Sequence, residues 1–156
     1  MDIASQKKAV EHLAFEVYHF RCYRRLDNNR QMAGIISQAV RYSLLLHVRV
    51  LLGFFSASPW PDDCSMGDFI TDTNTRKKLT PSAEAKAIIL DLHKRLAHFT
   101  RIRWETVPAP TMAYYAKYFD EIERLINGFQ AALPADIRRI FTNKLDSFAK
   151  SEPCDP

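Results

Sequence analysis

The apolar residues of this chain recur at helical spacing over most of its length. Between residues 5 and 26 they fall at steps of three and four, the period of an amphipathic helix. The stretch 33–55, AGIISQAVRYSLLLHVRVLLGFF, is apolar on almost every side and contains no proline. This stretch predicts a central helix that the other helices enclose.

A third helix is predicted to begin near Thr80. Thr80 is the expected N-cap, Pro81 suits the first helical position, and Glu84 places an acid at the positive end of the helix dipole. The expected buried face consists of Ala85, Ile88, Ile89, Leu92, Leu96 and Phe99.

Two further helices are predicted near the carboxyl end. From about Thr111 an apolar repeat of 3.5 residues runs through Met112, Tyr115, Phe119, Ile122, Ile126, Phe129 and Leu133. The repeat suits either a face packed inside the molecule or a seam against a second subunit. Pro134 then opens the last helix, with an inward face of Ile137, Ile140, Phe141, Leu145 and Phe148.

The connection 56–80 is the least regular part of the chain. Trp60, Phe69 and Ile70 are expected to pack against the helices. The acids Asp62, Asp63 and Asp68 are interpreted as turn residues, with a carboxylate metal site as the alternative.

Together these patterns predict an all-α fold, an antiparallel bundle of four to five helices with one long loop between helices two and three. A single domain covering residues 1–156 is expected, with a core from about 5 to 150 and a frayed tail at 151–156. The content of only 4 glycines disfavours an all-β fold.

Charge and cysteine content bear on which partners and which cellular compartment are expected. The formal net charge of +4 leaves nucleic acid or another acidic partner open, and so modest an excess is also common among proteins that bind neither. Cys22, Cys64 and Cys154 lack paired spacing, so neither a disulfide framework nor a zinc site is predicted. The start of the chain lacks the apolar core of a secretory signal, and Arg41 and Arg49 disfavour membrane insertion of the central helix. A cytoplasmic protein without metal or other cofactor is expected.

The densest polar cluster is HKRLAHFTRIRW, residues 93–104. His93 and His98 lie about 140° apart on a helical wheel, so a regular helix does not bring both to one metal ion, but either imidazole suits proton transfer. Asp91, Arg95 and His98 follow one another along the helix surface. A guanidinium that holds a phosphate beside such a histidine is the minimal equipment for metal-independent RNA cleavage. The alternative is a surface ion pair with a half-buried histidine.

The remaining histidines favour structural roles. His47 lies on the apolar side of the central helix and is expected in the core, with a hydrogen-bonded ring. His12 and His19, seven residues apart, are interpreted as partly exposed, with a metal pair as the alternative. Arg30, Gln38 and Arg41 form a polar strip that acids of a neighbouring helix or a second subunit are expected to meet.

From about Leu44 to Phe129 the chain resembles the HEPN superfamily of prokaryotic helical bundles, in its uncharacterised and abortive-infection-like branch. The resemblance rests on LLLHVRVLLGFF, the acidic loop after it, and DLHKRLAHFTRIR. The residues that match the branch's motifs are His47, Arg49, Leu51, Phe54, Phe55, Lys94, Ala97 and His98. The resemblance implies a homodimeric, RNA-directed or defence-associated module, with toxin–antitoxin systems as one setting.

HEPN ribonucleases carry an arginine four to six residues before the motif histidine, at the interface between two subunits. Counting back from His98, the candidate positions hold His93, Leu92 and Asp91, so only the histidine carries over. Arg95, inside the motif, is the candidate substitute. Arg41 and His47 satisfy the spacing formally, but they lie on helix two and point about 120° apart, so this match is interpreted as chance.

Two functions therefore remain open. In the first, His98, Arg95 and His93 are the candidate catalytic residues of a metal-independent ribonuclease. Its candidate RNA-binding residues are Lys94, Arg101, Arg103 and Trp104, whose ring can stack on a base. In the second, the chain is a non-catalytic interaction or structural subunit, and the same residues are structural.

Overall fold

The computed structural model describes residues 1–28, 34–56, 63–93, 96 and 111–152. Within these ranges the chain is helical and contains no strand, which confirms the all-α class. In chain order the elements are α1 (Ile3–Asp27), α2 (Gly34–Phe55), a 3-10 helix (Met66–Asp68), α3 (Thr73–Lys78), α4 (Ala83–Leu92), α5 (Met112–Ala116), α6 (Phe119–Ala132) and α7 (Ala135–Ser151).

Helix α1 packs against both α2 and α7. Asp2 caps its amino end, where the carboxylate accepts a hydrogen bond from the Ser5 amide at 2.7 Å. Its buried face consists of Val10, Leu13, Ala14, Val17, Tyr18, Phe20 and Cys22. Glu16 meets His47 and Asp27 meets Arg41, so α1 and α2 run in opposite directions.

Helix α2 is the central helix that its apolar pattern predicts. It begins at Gly34, whose φ of 65° lies in the left-handed region that favours glycine. Val48, Leu51 and Leu52 are fully buried, and the helix packs against α1, α4 and α6. Among the described helices, α2 has the length and composition of a membrane span, and 39% of its most apolar window is buried. This is weak evidence, because the core helix of a soluble protein passes the same test.

The connection after α2 is more regular than expected. Its described part contains the 3-10 helix and α3, which the sequence pattern did not predict. Asp68 accepts a hydrogen bond from the Ser65 amide at 2.8 Å, and Asp72 caps α3 through the Thr75 amide at 2.7 Å. Phe69 and Ile70 are buried as predicted. Trp60 and Asp62 lie outside the described residues.

The predicted N-cap of the third helix is wrong by two residues. Helix α4 begins at Ala83, and the Ser82 hydroxyl accepts from the Ala85 amide at 3.1 Å. Ser82 is fixed there because the Glu121 carboxylate accepts from its amide at 2.6 Å and from its hydroxyl at 3.0 Å. The Thr80 hydroxyl instead donates to the Arg76 carbonyl at 2.9 Å.

The predicted fourth helix is divided into α5 and α6. The chain turns at Lys117 and Tyr118, where the Tyr118 amide bonds to the Tyr115 carbonyl three residues back. The apolar repeat nevertheless faces inward, with Tyr115, Phe119, Ile122, Ile126, Phe129 and Leu133 all buried. The repeat therefore packs within one chain, and the alternative of a seam against a second subunit is wrong.

Candidate functional site

The carboxyl end of α4 carries the described part of the predicted polar cluster. Leu92 is fully buried, and the Asp91 carboxylate accepts a hydrogen bond from the Tyr115 hydroxyl of α5 at 2.7 Å. His93 follows α4 directly and is half-buried, and its amide bonds to the carbonyls of Ile89 and Leu90. The other predicted site residues lie outside the described residues: Lys94, Arg95, His98, Arg101, Arg103 and Trp104.

The formal arginine–histidine motif on α2 does not form a site. The Arg41 Nε donates to the Asp27 carboxylate at 2.9 Å, whereas His47 is buried and its Nδ1 lies 2.7 Å from the Glu16 carboxylate. The two side chains thus meet different acids of α1. The predictions that His47 lies hydrogen-bonded in the core and that an acid of a neighbouring helix meets Arg41 are both confirmed.

His47 belongs to an aromatic cluster between α1, α2 and α7. The Tyr23 ring stacks on it at 5.6 Å between ring centroids, and the His19 ring at 5.5 Å. His19 Nδ1 lies 2.9 Å from the Phe15 carbonyl, which only accepts, so this nitrogen carries the proton. Its Nε2 lies 3.7 Å from the Glu152 carboxylate. The side chains of His19 and His47 are only 15% and 10% exposed.

The histidine pair was not predicted from the sequence, although part of the signal was present. Glu16, His19 and Tyr23 occupy one side of α1, at steps of three and four. The sequence does not reveal that this side meets His47, because that contact depends on how α1 and α2 are aligned. His12, in contrast, is exposed, and the alternative of a metal pair with His19 gains no support. In the described part of the chain no group of three or more acids, histidines and cysteines could hold a metal ion.

A shallow cleft of about 320 Å³ lies between α1, α6 and α7. Arg21 stands on its wall and forms a two-pronged ion pair with Glu123, with its closest nitrogen–oxygen distance at 2.8 Å. Arg24 pairs with Asp120 at 2.7 Å. Each of these cations therefore has its own acid, and the exposed Arg25 lines the cleft together with Asp146. The balance of charge gives the cleft no clear preference for an anion or a cation.

The cysteines differ from the sequence expectation at one position. Cys22 is disulfide-bonded, which the spacing of the cysteines did not indicate. Sequence spacing does not report distance in space, which is why the pattern missed it. Cys64 is a free, half-buried thiol. Burial, together with the nearby Asp68 charge, raises its pKa to about 11.

The most unusual surface is the outer side of α2. Ile35, Tyr42, Leu46 and Val50 are 84%, 56%, 44% and 37% exposed, and Ala39 between them is also exposed. We call these five residues the α2 stripe. At 100° per residue they fall within about 80° of the helix circumference, so they form one continuous apolar strip. Isolated exposed apolar residues are common, but contiguous strips of this size mark interaction surfaces.

No protein-family model matches the chain, and the comparisons with curated proteins and with solved structures found no match either.

Proposed function

We propose that this chain is a HEPN-like helical module that binds RNA as a homodimer in a phage-defence or toxin–antitoxin setting, with weak or no ribonuclease activity. In this proposal the helices form an antiparallel bundle. The segment from His93 to Trp104 is its RNA-binding surface.

The composition of that segment supports RNA as the ligand. Between His93 and Trp104 the sequence holds Lys94, Arg95, Arg101 and Arg103, two histidines and no acid. Clustered cations attract the phosphate backbone, and an aromatic ring such as that of Trp104 can stack on an unpaired base.

The observation that carries the proposal is the anchoring of the helix that leads into this segment. The Asp91–Tyr115 hydrogen bond fixes the end of α4 to α5, and the buried Leu92 holds it against the core. A basic segment that starts from such a fixed point loses less conformational freedom when it binds a ligand. The half-buried His93 marks the first residue beyond the anchor.

The expectation of weak or absent catalysis rests on the motif residues. The positions that would hold the family arginine before His98 are His93, Leu92 and Asp91. Leu92 is buried and Asp91 is bonded to Tyr115, so neither position offers a cation to a phosphate. His47 is engaged with Glu16 inside the molecule and is not available as a substitute for His98.

Binding is tested with a double substitution in the basic segment. Fluorescence anisotropy with a labelled single-stranded RNA should show an affinity loss on the order of tenfold for Arg101→Ala combined with Arg103→Ala. The matched control is Lys7→Ala combined with Lys8→Ala, which removes the same charge from exposed positions of α1. Equal losses in both double variants would contradict a specific RNA surface on this segment.

Catalysis is tested separately in the presence of a chelator. The wild-type protein and His98→Ala are incubated with mixed RNA, and we expect slow cleavage or none. Cleavage that His98→Ala abolishes would assign the residual activity to this histidine. Rapid wild-type cleavage would contradict the proposal of weak activity.

A second candidate function is that of a non-catalytic interaction subunit. The α2 stripe favours it, because this strip groups four large, exposed apolar side chains on one side of a helix. Unlike RNA binding, association through apolar surface is expected to be nearly insensitive to salt. The salt dependence of complex formation therefore distinguishes the two candidates.

A further inference from the structure

The α2 stripe is apolar along its whole length and carries one cation at its edge. Apart from Arg41, which pairs with Asp27, the only other Lys or Arg of α2 is Arg49. Arg49 is partly exposed, and among the described residues it has no hydrogen-bond or ion-pair partner. On a helical wheel Arg49 lies about 20° beyond Tyr42, on the same edge of the stripe.

Side-chain size also varies along the stripe in a regular way. The large Tyr42 lies one turn before Leu46, and the smaller Val50 lies one turn after it. Farther out, the small residues Ala39 and Gly53 lie seven residues on either side of Leu46, and a Cβ at Gly53 would meet no atom within 4 Å. Positions 42 and 50, and positions 39 and 53, therefore lie at equal distances on either side of Leu46.

We propose that the α2 stripe pairs with the α2 stripe of a second copy of this chain, with the two helices antiparallel and a two-fold axis at Leu46. This inference rests on the proposed function, because the homodimer is part of that proposal. It adds the surface through which the two copies associate. In this register Tyr42 faces Val50 and Ala39 faces Gly53 of the other copy. Both copies use the same patch, as a two-fold interface requires.

The edge of the stripe favours the antiparallel direction. In an antiparallel two-fold pair, the edge of the stripe that carries Tyr42 and Arg49 lies beside the same edge of the other copy. In a parallel pair it lies beside the opposite edge. The Arg49 of one copy then lies within about one residue, roughly 1.5 Å along the axis, of the level of Tyr42 in the other. A guanidinium against a tyrosine ring is a favourable contact, so the cation at the edge finds its partner within the stripe itself.

The extent of the surface is compatible with a dimer. A stable interface buries about 800 Å² on each partner. Four large side chains that are each more than a third exposed, on a helix of 22 residues, supply a large part of that area, and the flanking residues can supply the remainder.

The first experiment measures mass by light scattering after size exclusion. We expect about twice 18.0 kDa for the wild type at micromolar concentration. Leu46→Glu should weaken the dimer by at least on the order of 100-fold, because each dimer carries the change twice. The matched control is Leu90→Glu on α4, a residue that is 66% exposed and lies outside the stripe, and it should remain dimeric. Circular dichroism should show the same helix content in both variants.

The second experiment tests the register by cysteine crosslinking under mild oxidation. Leu46→Cys should give a covalent dimer on a non-reducing gel, because residue 46 meets its own symmetry mate. Ile35→Cys should not, because its mate lies 22 residues farther along the pair, roughly 33 Å away. Crosslinking of both variants would overturn the antiparallel arrangement, and a wild-type dimer in which neither crosslinks would overturn the use of this surface.

These experiments give different results if the stripe binds something other than a second copy of the chain. A monomeric wild type at 100 µM would overturn the inference, and so would sedimentation of that monomer with lipid vesicles. RNA binding is measured separately in each variant. A dimer that does not bind RNA would contradict the proposed RNA-directed function alone, whereas a monomer that binds RNA would contradict the dimer alone.

Discussion

The buried side chain of His47 on α2 is held by a contact with Glu16 on α1. The imidazole lies in the core, donates to a carboxylate at 2.7 Å, and is covered by the rings of His19 and Tyr23. A buried polar group is tolerated only with such a partner, because leaving it unpaired costs about 1–3 kcal/mol.

We therefore predict that His47→Ala lowers the free energy of unfolding by about 2 kcal/mol or more. The substitution opens a cavity between α1 and α2 and leaves the partly buried Glu16 without its donor. His12→Ala, the same change at an exposed position of α1, should stay within about 0.5 kcal/mol. Urea denaturation followed by circular dichroism measures both, and similar losses would show that the His47 contact contributes little.

A second prediction at the residue scale concerns Cys64. Its pKa of about 11 means that the reactive thiolate is scarce at pH 8, so alkylation by iodoacetamide should be slow and should accelerate up to about pH 11. In guanidinium the same cysteine should react with an ordinary pKa near 9.0. Peptide mass spectrometry gives the rates, and without reductant Cys22 should remain unlabelled. A rate for the folded protein that levels off near pH 9 would contradict the assigned burial.

The raised pKa of Cys64 also determines how the free energy of unfolding changes with pH. Between about pH 9 and pH 11 the folded protein keeps the Cys64 proton that the unfolded chain has released. The stabilisation is therefore complete below the unfolded-state pKa and is lost as the pH rises through this window.

At the scale of elements, apolar spacing was sufficient for α1, α2 and α7, whose inner faces repeat over many turns. It did not predict a helix boundary that depends on a single contact between distant residues. Ser82 caps α4 because Glu121, 39 residues away, holds it, and no local pattern shows that contact. The turn at Lys117 and Tyr118 interrupts a continuous apolar repeat for the same reason, since the repeat fixes which residues face inward and leaves the helix boundaries open.

The capping contact leads to a prediction for α4. Ser82→Ala should lower the free energy of unfolding by about 1 kcal/mol, because it removes the acceptor for the Ala85 amide and a donor to Glu121. Thr80→Ala, at the N-cap expected from the sequence, should cost less. Thermal and urea denaturation compare the two variants, and a larger loss for Thr80→Ala would indicate that the cap lies at Thr80 in solution.

The candidate site was less accessible to sequence reasoning than the fold. The position of His47 in the core followed from its place on the apolar face of α2, but its carboxylate partner did not. Of the predicted catalytic residues, His93 is described at the end of α4, and its environment there is half-buried. The α2 stripe could not be predicted from the sequence, because α2 is apolar on almost every side. Such a pattern does not show which side of the helix remains exposed in the fold.

At the scale of the whole molecule, the two proposed surfaces have opposite chemistry. The α2 stripe is apolar, and the segment after α4 is basic. Arg21, Arg24 and Arg41 are paired with acids of the same chain, whereas the segment from His93 to Trp104 contains four Lys or Arg residues and no acid. We therefore propose that the chain self-associates through the α2 stripe and binds RNA through the segment after α4.

The measurement that tests this account most directly is the salt dependence of RNA binding. For single-stranded RNA, the logarithm of the binding constant should fall linearly with the logarithm of the salt concentration, by about 0.7 for each phosphate contact. Combining Arg101→Ala with Arg103→Ala should reduce that slope by about 1.4, while Lys7→Ala with Lys8→Ala should leave it unchanged. Binding that is insensitive to salt, or a slope equal in all three proteins, would contradict an RNA surface on the segment that follows α4.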